Sequence, residues 1–107
     1  MANSWRIDPN KITRYLLHSA STTGGATKAT FFMAFGFTPA NWQVLHDALI
    51  EHASTAYLDN IDSSSPYGPK EVYRCGIRSP DGRNPCICSV WQHRHGDWWF
   101  ITAYPWP

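Results

Sequence analysis

The sequence predicts an α+β domain in which N-terminal helices pack on one face of a C-terminal antiparallel β-meander. Helix-start signals and helical apolar spacing fill the first half of the chain, whereas alternating strands and Gly-containing turns fill the second. The length of 107 residues, with 43% apolar and 15% aromatic residues, suits one core and argues against disorder. We expect a single domain over residues 1–107, helical over 1–54 and sheet-forming over 55–107.

Three helices are predicted in the first half. The first starts with Asp8 as N-cap and Pro9 in the first turn, and residues 18–27 form a loop rich in Ser, Thr and Gly. The second covers residues 28–35 and ends at Gly36. The third starts at a second cap-and-proline pair, Thr38 and Pro39, and ends near Ala53. Its buried apolar stripe is formed by Trp42, Leu45, Ala48 and Leu49.

Four strands are predicted in the second half, over residues 57–61, 71–79, 86–92 and 98–104. The run Pro80-Asp81-Gly82-Arg83 is typical of a tight hairpin turn, and Arg94-His95-Gly96-Asp97 of a second turn.

The strands have two faces of different composition, because successive side chains point to opposite sides. One set is nearly all apolar and should pack on the helices: Tyr73, Cys75, Ile77, Cys86, Cys88, Val90, Trp99, Ile101 and Ala103. The other set mixes cations, hydroxyls and flat rings and should stay open: Arg74, Arg78, Ser89, Trp91, Trp98, Phe100, Thr102 and Tyr104. Such a face either binds phosphates and unpaired bases or is a half-exposed sheet whose aromatics are good strand formers.

Charge, hydropathy and cysteine usage exclude several classes of protein and of site. A formal net charge of +1 rules out a polybasic nucleic-acid tail and an acidic solvating tail. The longest apolar stretch, residues 31–37, is too short for a membrane span, and no secretory segment is visible. Three cysteines make a disulfide framework unexpected and favour a reducing, cytoplasmic setting. The Cys86-x-Cys88 and His93-x-His95 spacings suit zinc poorly, so no metal or cofactor is expected.

The loop before the second helix carries the first candidate residues. Free amides at a helix N-terminus together with Lys28 form either an anion site or a flexible connector with a solvated lysine. His18 beside it is either a general base or a helix C-terminal cap. His46 and His52 on the third helix are expected to be structural or solvated.

The sheet half carries the remaining candidates. Arg83 in the hairpin turn and Lys70 after the preceding turn are phosphate ligands or ordinary exposed residues. Thr102 and Tyr104 share a strand face two residues apart, where a hydroxyl can bind a phosphate oxygen and a phenol can exchange a proton. The alternative is that both are ordinary paired strand residues that take no part in a reaction.

The ordered set of motifs resembles a small bacterial domain family of unknown function that is itself similar to the barnase–EndoU–colicin–RelE ribonuclease toxins. The matching stretches run along nearly the whole chain after residue 10, among them Lys11-Ile12-Thr13-x-Tyr15-Leu16-Leu17, Gly25-x-x-Lys28, Trp42-x-x-Leu45, Tyr67-Gly68-x-Lys70, Pro80-Asp81-Gly82-Arg83, Val90-Trp91 and Thr102-Ala103-Tyr104-Pro105.

The resemblance implies metal-independent RNA cleavage on the open sheet face, and it points to Lys28, Lys70, Arg83, Thr102 and Tyr104. Relatives are expected to carry a histidine inside the loop before the Gly-x-x-Lys motif. Here the loop has Ser and Thr at positions 21 and 22 instead, which leaves His18 or another group as the base.

We therefore expect a cytoplasmic endoribonuclease toxin with a cognate antitoxin, in which the 2′-OH attacks the adjacent phosphate. Lys28 and Arg83 would stabilise charge on the phosphate, Thr102 would orient it, and Tyr104 or His18 would transfer protons. Substrate binding would fall to five further residues, Lys70, Arg74, Arg78, Trp91 and Trp98. The alternatives are a non-catalytic RNA- or protein-binding module and an immunity or antitoxin partner; the oligomeric state, including a homo-oligomer, is left open.

Overall fold

A computed structural model describes residues 4–17, 25–55, 57–62, 66 and 68–106. Its helices pack on one face of a five-stranded sheet with strand order β1-β5-β4-β3-β2, which confirms the predicted α+β class. The elements in chain order are β1 (Trp5–Arg6), α1 (Pro9–Lys11) with a π-helical continuation (Ile12–Leu16), α2 (Gly25–Ala34), α3 (Trp42–Thr55), β2 (Tyr57–Asp62), β3 (Lys70–Gly76), β4 (Cys86–Arg94) and β5 (Asp97–Pro105).

Strands β2 to β5 form the predicted antiparallel meander, and β1 adds a parallel edge strand. β1 pairs Trp5 with Trp98 and Arg6 with Trp99, and the Trp98 N–H donates to the Ser4 carbonyl at 2.8 Å. Two residues are too few for an alternation pattern, so the sequence did not predict this strand. No helix within the described ranges is long and apolar enough to cross a bilayer.

The helix-start signal is confirmed for α1, whereas α3 begins at Trp42, four residues after the predicted cap Thr38. The Asp8 carboxylate accepts a hydrogen bond from the Asn10 N–H at 3.0 Å, and Pro9 opens α1. The Thr38 hydroxyl accepts from the Asn41 N–H at 3.2 Å in the turn that leads into α3. Helix α2 begins at Gly25, three residues before the predicted start, and stops before Gly36, whose φ of +100° favours glycine.

The two predicted turns have different outcomes. His95 and Gly96 both have positive φ, 51° and 86°, which is the backbone of a tight hairpin between β4 and β5. The run from Pro80 to Arg83 is not a tight hairpin, because β3 ends at Gly76 and β4 begins at Cys86. Residues 77–85 instead form a longer loop, and its Asp81 N–H donates to the Phe35 carbonyl just past α2, at 3.3 Å.

The sheet register defines a core face, which packs on the helices, and an open face. Residues paired across strands share a face, so the core face carries Tyr73, Ile87, Ser89, Trp91, Trp98, Phe100 and Ala103, all of them buried. The other face, called the open face below, carries seven half-buried residues, Lys70, Val72, Arg74, Val90, Trp99, Thr102 and Tyr104. It also carries Cys88 and Gln92 of β4, which are 1% and 2% exposed.

The predicted face assignment is wrong for β4 and for the first half of β5. Cys86, Cys88 and Val90 were expected to face the helices, but Ser89 and Trp91 do so, because His52 on α3 hydrogen-bonds to Ser89. On β5, Val90 pairs with Thr102 and Trp91 pairs with Phe100, which leaves Ile101 as an extra, bulged residue.

The bulge puts Trp99 and Thr102 on one face although they are three residues apart. Ile101 was also expected to face the helices, and it lies at the bulge instead. Cys75, expected in the core, is exposed and has a φ of +113°.

Candidate active site

A lysine–threonine pair joins α2 to the open face. The Lys28 ammonium donates a hydrogen bond to the Thr102 hydroxyl oxygen at 2.8 Å, and both side chains are half-buried. Phe32, one turn further along α2, is fully buried in the core and anchors this side of the helix against the sheet. The structure thus brings together two predicted site residues that are far apart in the sequence.

Tyr104 and Arg74 continue the site along the open face. Tyr104 follows Thr102 by two residues on the same face, which puts their Cα atoms about 6.6 Å apart at the usual strand rise. Tyr104 pairs with Cys88, and Cys88 pairs with Arg74, so the phenol and the guanidinium belong to one row across the sheet. The Arg74 guanidinium lies over the Trp106 ring, 4.8 Å from its centroid.

The far end of the open face carries a second row of polar side chains. Lys70 pairs with Gln92, and Gln92 pairs with Trp99. Arg94 donates to the Gln92 amide oxygen through Nε at 3.1 Å and through a terminal nitrogen at 2.7 Å. Lys70, Arg74 and Thr102, the partner of Lys28, therefore share one face. The same face also has two acidic positions, Asp97, which pairs with Arg6, and Asp62, the register partner of Lys70.

Arg83, predicted to bind phosphate together with Lys28, lies at the opposite end of α2 in contacts of its own. Its guanidinium donates to the Ala34 carbonyl at 2.6 Å, pairs with Asp81 at 2.6 Å and lies 4.3 Å from the centroid of the Phe35 ring. Ala34 ends α2, whereas Lys28 belongs to its first half, about 9 Å away along the helix axis at 1.5 Å per residue. Arg83 instead ties the 77–85 loop to α2.

The carboxylate in this loop is stabilised in its charged form by neighbouring donors. The Asp81 side chain accepts hydrogen bonds from the backbone N–H of Arg83, from the Ser79 hydroxyl and from the Arg83 guanidinium. These donors lower the pKa of Asp81, with the backbone N–H of Arg83 as the largest cause. The loop is thus a structural clamp.

Three other predicted substrate-binding residues are misplaced. Arg78 lies beyond the end of β3 and pairs with Glu51 of α3 at 3.1 Å, away from the open face. Trp91 is 0% exposed and donates to the Ser89 hydroxyl oxygen at 3.0 Å, and Trp98 is buried beside His93. Neither ring can stack on a base while it belongs to the core.

Two other tryptophans take the exposed positions. Trp99 is half-buried on the open face, and Trp106 is 43% exposed next to Arg74. Sequence reasoning missed Trp99 because the Ile101 bulge reverses the alternation of β5. The sequence signal was the run of Trp and Phe at the start of that strand. Without the strand register, that run does not show which of the rings lies on which face.

The base assignment remains a prediction, because His18 lies outside the described residues, as does the loop from 18 to 24. His52 is structural, as expected: its Nε2 donates to the Cys75 carbonyl at 2.6 Å, and its Nδ1 lies 2.7 Å from the Ser89 hydroxyl. Burial lowers the pKa of His52. His46 pairs with Asp47 at 2.9 Å.

The open-face arrangement has the parts needed to bind and polarise an anion. An ammonium and a hydroxyl are in contact, a phenol follows them on the same strand, and a guanidinium lies in the next row. Ammonium and guanidinium groups stabilise charge on a phosphate without a metal ion.

A search of solved structures matches this chain to one from the contact-dependent growth inhibition toxin–immunity protein complex of Klebsiella pneumoniae 342. The TM-score is 0.70 at 16% sequence identity, and the match covers 92% of this chain and 91% of the other. The two chains therefore share a fold. No curated protein matches the sequence. The model of one family, the domain of unknown function DUF6883, matches residues 2–107, and the chain accordingly belongs to that family.

Proposed function

We propose that this protein is a metal-independent endoribonuclease toxin whose active site is the open face around Lys28 and Thr102. The observation that carries the proposal is the 2.8 Å contact between the Lys28 ammonium and the Thr102 hydroxyl, beside Tyr104. The fold it shares with a chain from a toxin–immunity complex supports a toxin, as does the resemblance of its motifs to the barnase–EndoU–colicin–RelE group.

The proposed reaction uses the RNA as its own nucleophile. The 2′-OH loses a proton and attacks the adjacent phosphorus, and the 5′-oxygen of the next nucleotide leaves with a proton. Lys28 stabilises the charge that develops on the phosphate oxygens, and Thr102 donates its hydroxyl hydrogen to one of them. The products are a 2′,3′-cyclic phosphate and a 5′-OH, so one proton is removed and one is supplied.

Tyr104 and Arg74 complete the proposed machinery. The phenol of Tyr104, one strand repeat from Thr102, exchanges a proton with the leaving or attacking oxygen, and His18 is the second candidate for that role. Arg74, in the same row as Tyr104, takes the electrostatic role that the sequence predicted for Arg83, and Lys70 binds the RNA backbone further along the face.

A cognate protein that covers the open face would keep such a toxin inactive in the cytoplasm. The complex from Klebsiella pneumoniae contains a toxin and an immunity protein, which supports a protein partner for a chain of this fold. An immunity role for this chain is the second candidate, because the matched complex holds both kinds of protein. In that case the aromatic rings Trp99 and Trp106 would belong to a protein interface.

The test compares the wild type, Lys28→Ala and a matched control, Arg14→Ala, whose exposed cation lies on the π-helical segment outside the site. Each purified protein is incubated with total RNA in EDTA, and the ends of any fragments are mapped. We expect cyclic phosphate ends with the wild type and Arg14→Ala, and intact RNA with Lys28→Ala.

Intact RNA with the wild type, together with no growth defect on induction, would rule out the enzyme. Tight binding to the product of a neighbouring gene would then favour the immunity role. Cleavage that Lys28→Ala leaves unchanged would rule out the proposed site.

A further inference from the structure

We propose that a groove beside Trp99, at the end of the sheet where β1 and α1 meet, binds the nucleotide next to the cleaved phosphate. This inference rests on the proposed function and extends it by assigning a base-stacking subsite. The groove is defined by Asp8, Lys11, Arg94, His95 and Trp99.

The groove has the size of a ligand site. One cavity of about 370 Å³ is lined by these five residues together with Phe100 and Ile101. A second cavity of about 530 Å³ lies against Trp5, Arg6 and His46, and it shares Asp8 and Trp99 with the first. Both volumes fall in the range of small-molecule sites, so the groove can accept a nucleotide on either side of Trp99.

The groove lies next to the proposed active site along β5. The Lys11 ammonium donates to the Ile101 carbonyl at 3.1 Å, and Ile101 is the bulged residue that immediately precedes Thr102. Trp99 precedes Thr102 by three residues on the same face, a separation of at most about 10 Å along the strand. An RNA whose phosphate contacts Lys28 and Thr102 would therefore extend its neighbouring nucleotide toward Trp99.

The chemistry of the lining suits a nucleotide. The half-buried Trp99 ring offers a stacking surface for any base, while Lys11, Arg94 and His95 are donors for a backbone phosphate. The Asp8 carboxylate, which also caps α1, can accept from a ribose hydroxyl or an exocyclic amine.

The Trp5 ring lines the second cavity. Its Nε1 is buried under protein atoms and makes no hydrogen bond within the part of the chain that the structure describes.

The binding experiment uses single-stranded DNA hexamers, which lack the 2′-OH and cannot be cleaved by the proposed reaction. Their affinity for wild type, Trp99→Leu and Trp99→Phe is measured by fluorescence anisotropy. Loss of one stacked base should weaken binding by roughly 5- to 150-fold in Trp99→Leu, whereas Trp99→Phe should keep most of it. With RNA, Trp99→Leu should raise KM more than it lowers kcat.

A second variant covers the case in which Trp99→Leu does not fold. The double substitution Lys11→Ala and Arg94→Gln removes two cations, which should reduce the slope of log Kd against log salt by about 1.4. The subsite would be overturned if the double variant kept the wild-type salt slope and Trp99→Leu kept the wild-type affinity. It would also be overturned if the hexamers did not bind the wild type at all.

The outcomes also separate this inference from the proposed function. Trp99-dependent hexamer binding without RNA cleavage would support the subsite and contradict the nuclease. RNA cleavage that both groove variants leave unchanged would support the nuclease and overturn the subsite. Competition by a neighbouring gene product, with no effect of Trp99→Leu on nucleic acid, would assign the groove to a protein partner and also overturn the subsite.

Discussion

Two helix-to-sheet hydrogen bonds of nearly equal length have different consequences for this protein. On the core face, His52 of α3 contacts the Ser89 hydroxyl of β4 at 2.7 Å. On the open face, Lys28 of α2 contacts the Thr102 hydroxyl of β5 at 2.8 Å. Each pair joins a nitrogen on a helix to a hydroxyl on a strand, but only the second is accessible to a ligand.

The buried pair is fully satisfied. The Cys75 carbonyl can only accept, so His52 carries its proton on Nε2 and accepts the Ser89 hydroxyl hydrogen at Nδ1. The Ser89 oxygen in turn accepts from the Trp91 indole at 3.0 Å. The Lys28–Thr102 pair is half-buried on the other face of the sheet. Access to solvent, more than contact geometry, separates a structural pair from a candidate catalytic pair.

The largest effect is expected on the open face. Lys28→Ala should lower kcat/KM for RNA by about 10²- to 10³-fold, because it removes an electrostatic donor from the transition state. Its urea midpoint should stay close to that of the wild type, since the side chain is only half-buried. If Lys28→Ala instead lost much stability while its folded fraction still cleaved RNA, the Lys28–Thr102 pair would be structural, like the His52–Ser89 pair.

The matched change on the core face should reverse this pattern. His52→Ala should lower the free energy of unfolding by about 2–4 kcal/mol, because it opens a cavity and leaves buried polar partners unsatisfied. The folded fraction should cleave RNA at the wild-type rate. Urea titration followed by Trp fluorescence measures the first quantity, and a cleavage deficit in excess of the unfolded fraction would contradict the comparison.

Acid should act on the core pair through His52. Burial lowers the pKa of His52 in the folded protein, so the unfolded state binds a proton first as the pH falls. This contribution is fully present above the unfolded pKa of about 6.5 and is lost progressively as the pH falls below it. Urea midpoints at pH 7.5 and pH 5 should therefore differ more in wild type than in His52→Gln. An equal pH response in both proteins would remove His52 as the cause.

The smallest effect is expected from the hydroxyl that Lys28 contacts. Thr102→Val keeps the shape but removes one hydrogen bond worth about 1 kcal/mol, so cleavage should fall by about fivefold. Thr102→Ser keeps the hydroxyl and should retain most of the rate. If the valine and serine variants behaved alike, the hydroxyl would have no role beyond packing.

Local signals predicted much of the fold but only part of the site. Asp8, Gly36 and the His95–Gly96 turn act within a few residues, and each is found where the sequence indicated it. The family resemblance named both Lys28 and Thr102 as site residues, but their contact across 74 positions lay beyond the reach of any local pattern.

Arg83 shows the converse error. Its motif Pro80-Asp81-Gly82-Arg83 indicates a turn, but the turn belongs to a loop that is clamped to the end of α2. Whether an exposed arginine is a ligand for substrate or for a neighbouring carbonyl depends on distant partners. The cation of Arg74, on the open face, was predicted correctly because Tyr73 before it is unambiguously a core residue.

The sequence by itself determined the class, the order of the three helices and of strands β2 to β5, and the existence of two sheet faces. It could do so because caps, apolar periods and turn residues act over short stretches of chain. Tertiary structure decided which side of β4 packs on the helices and which tryptophans are accessible. The physical reason is that His52 satisfies a serine 37 positions away and that one bulged residue, Ile101, reverses the alternation of β5.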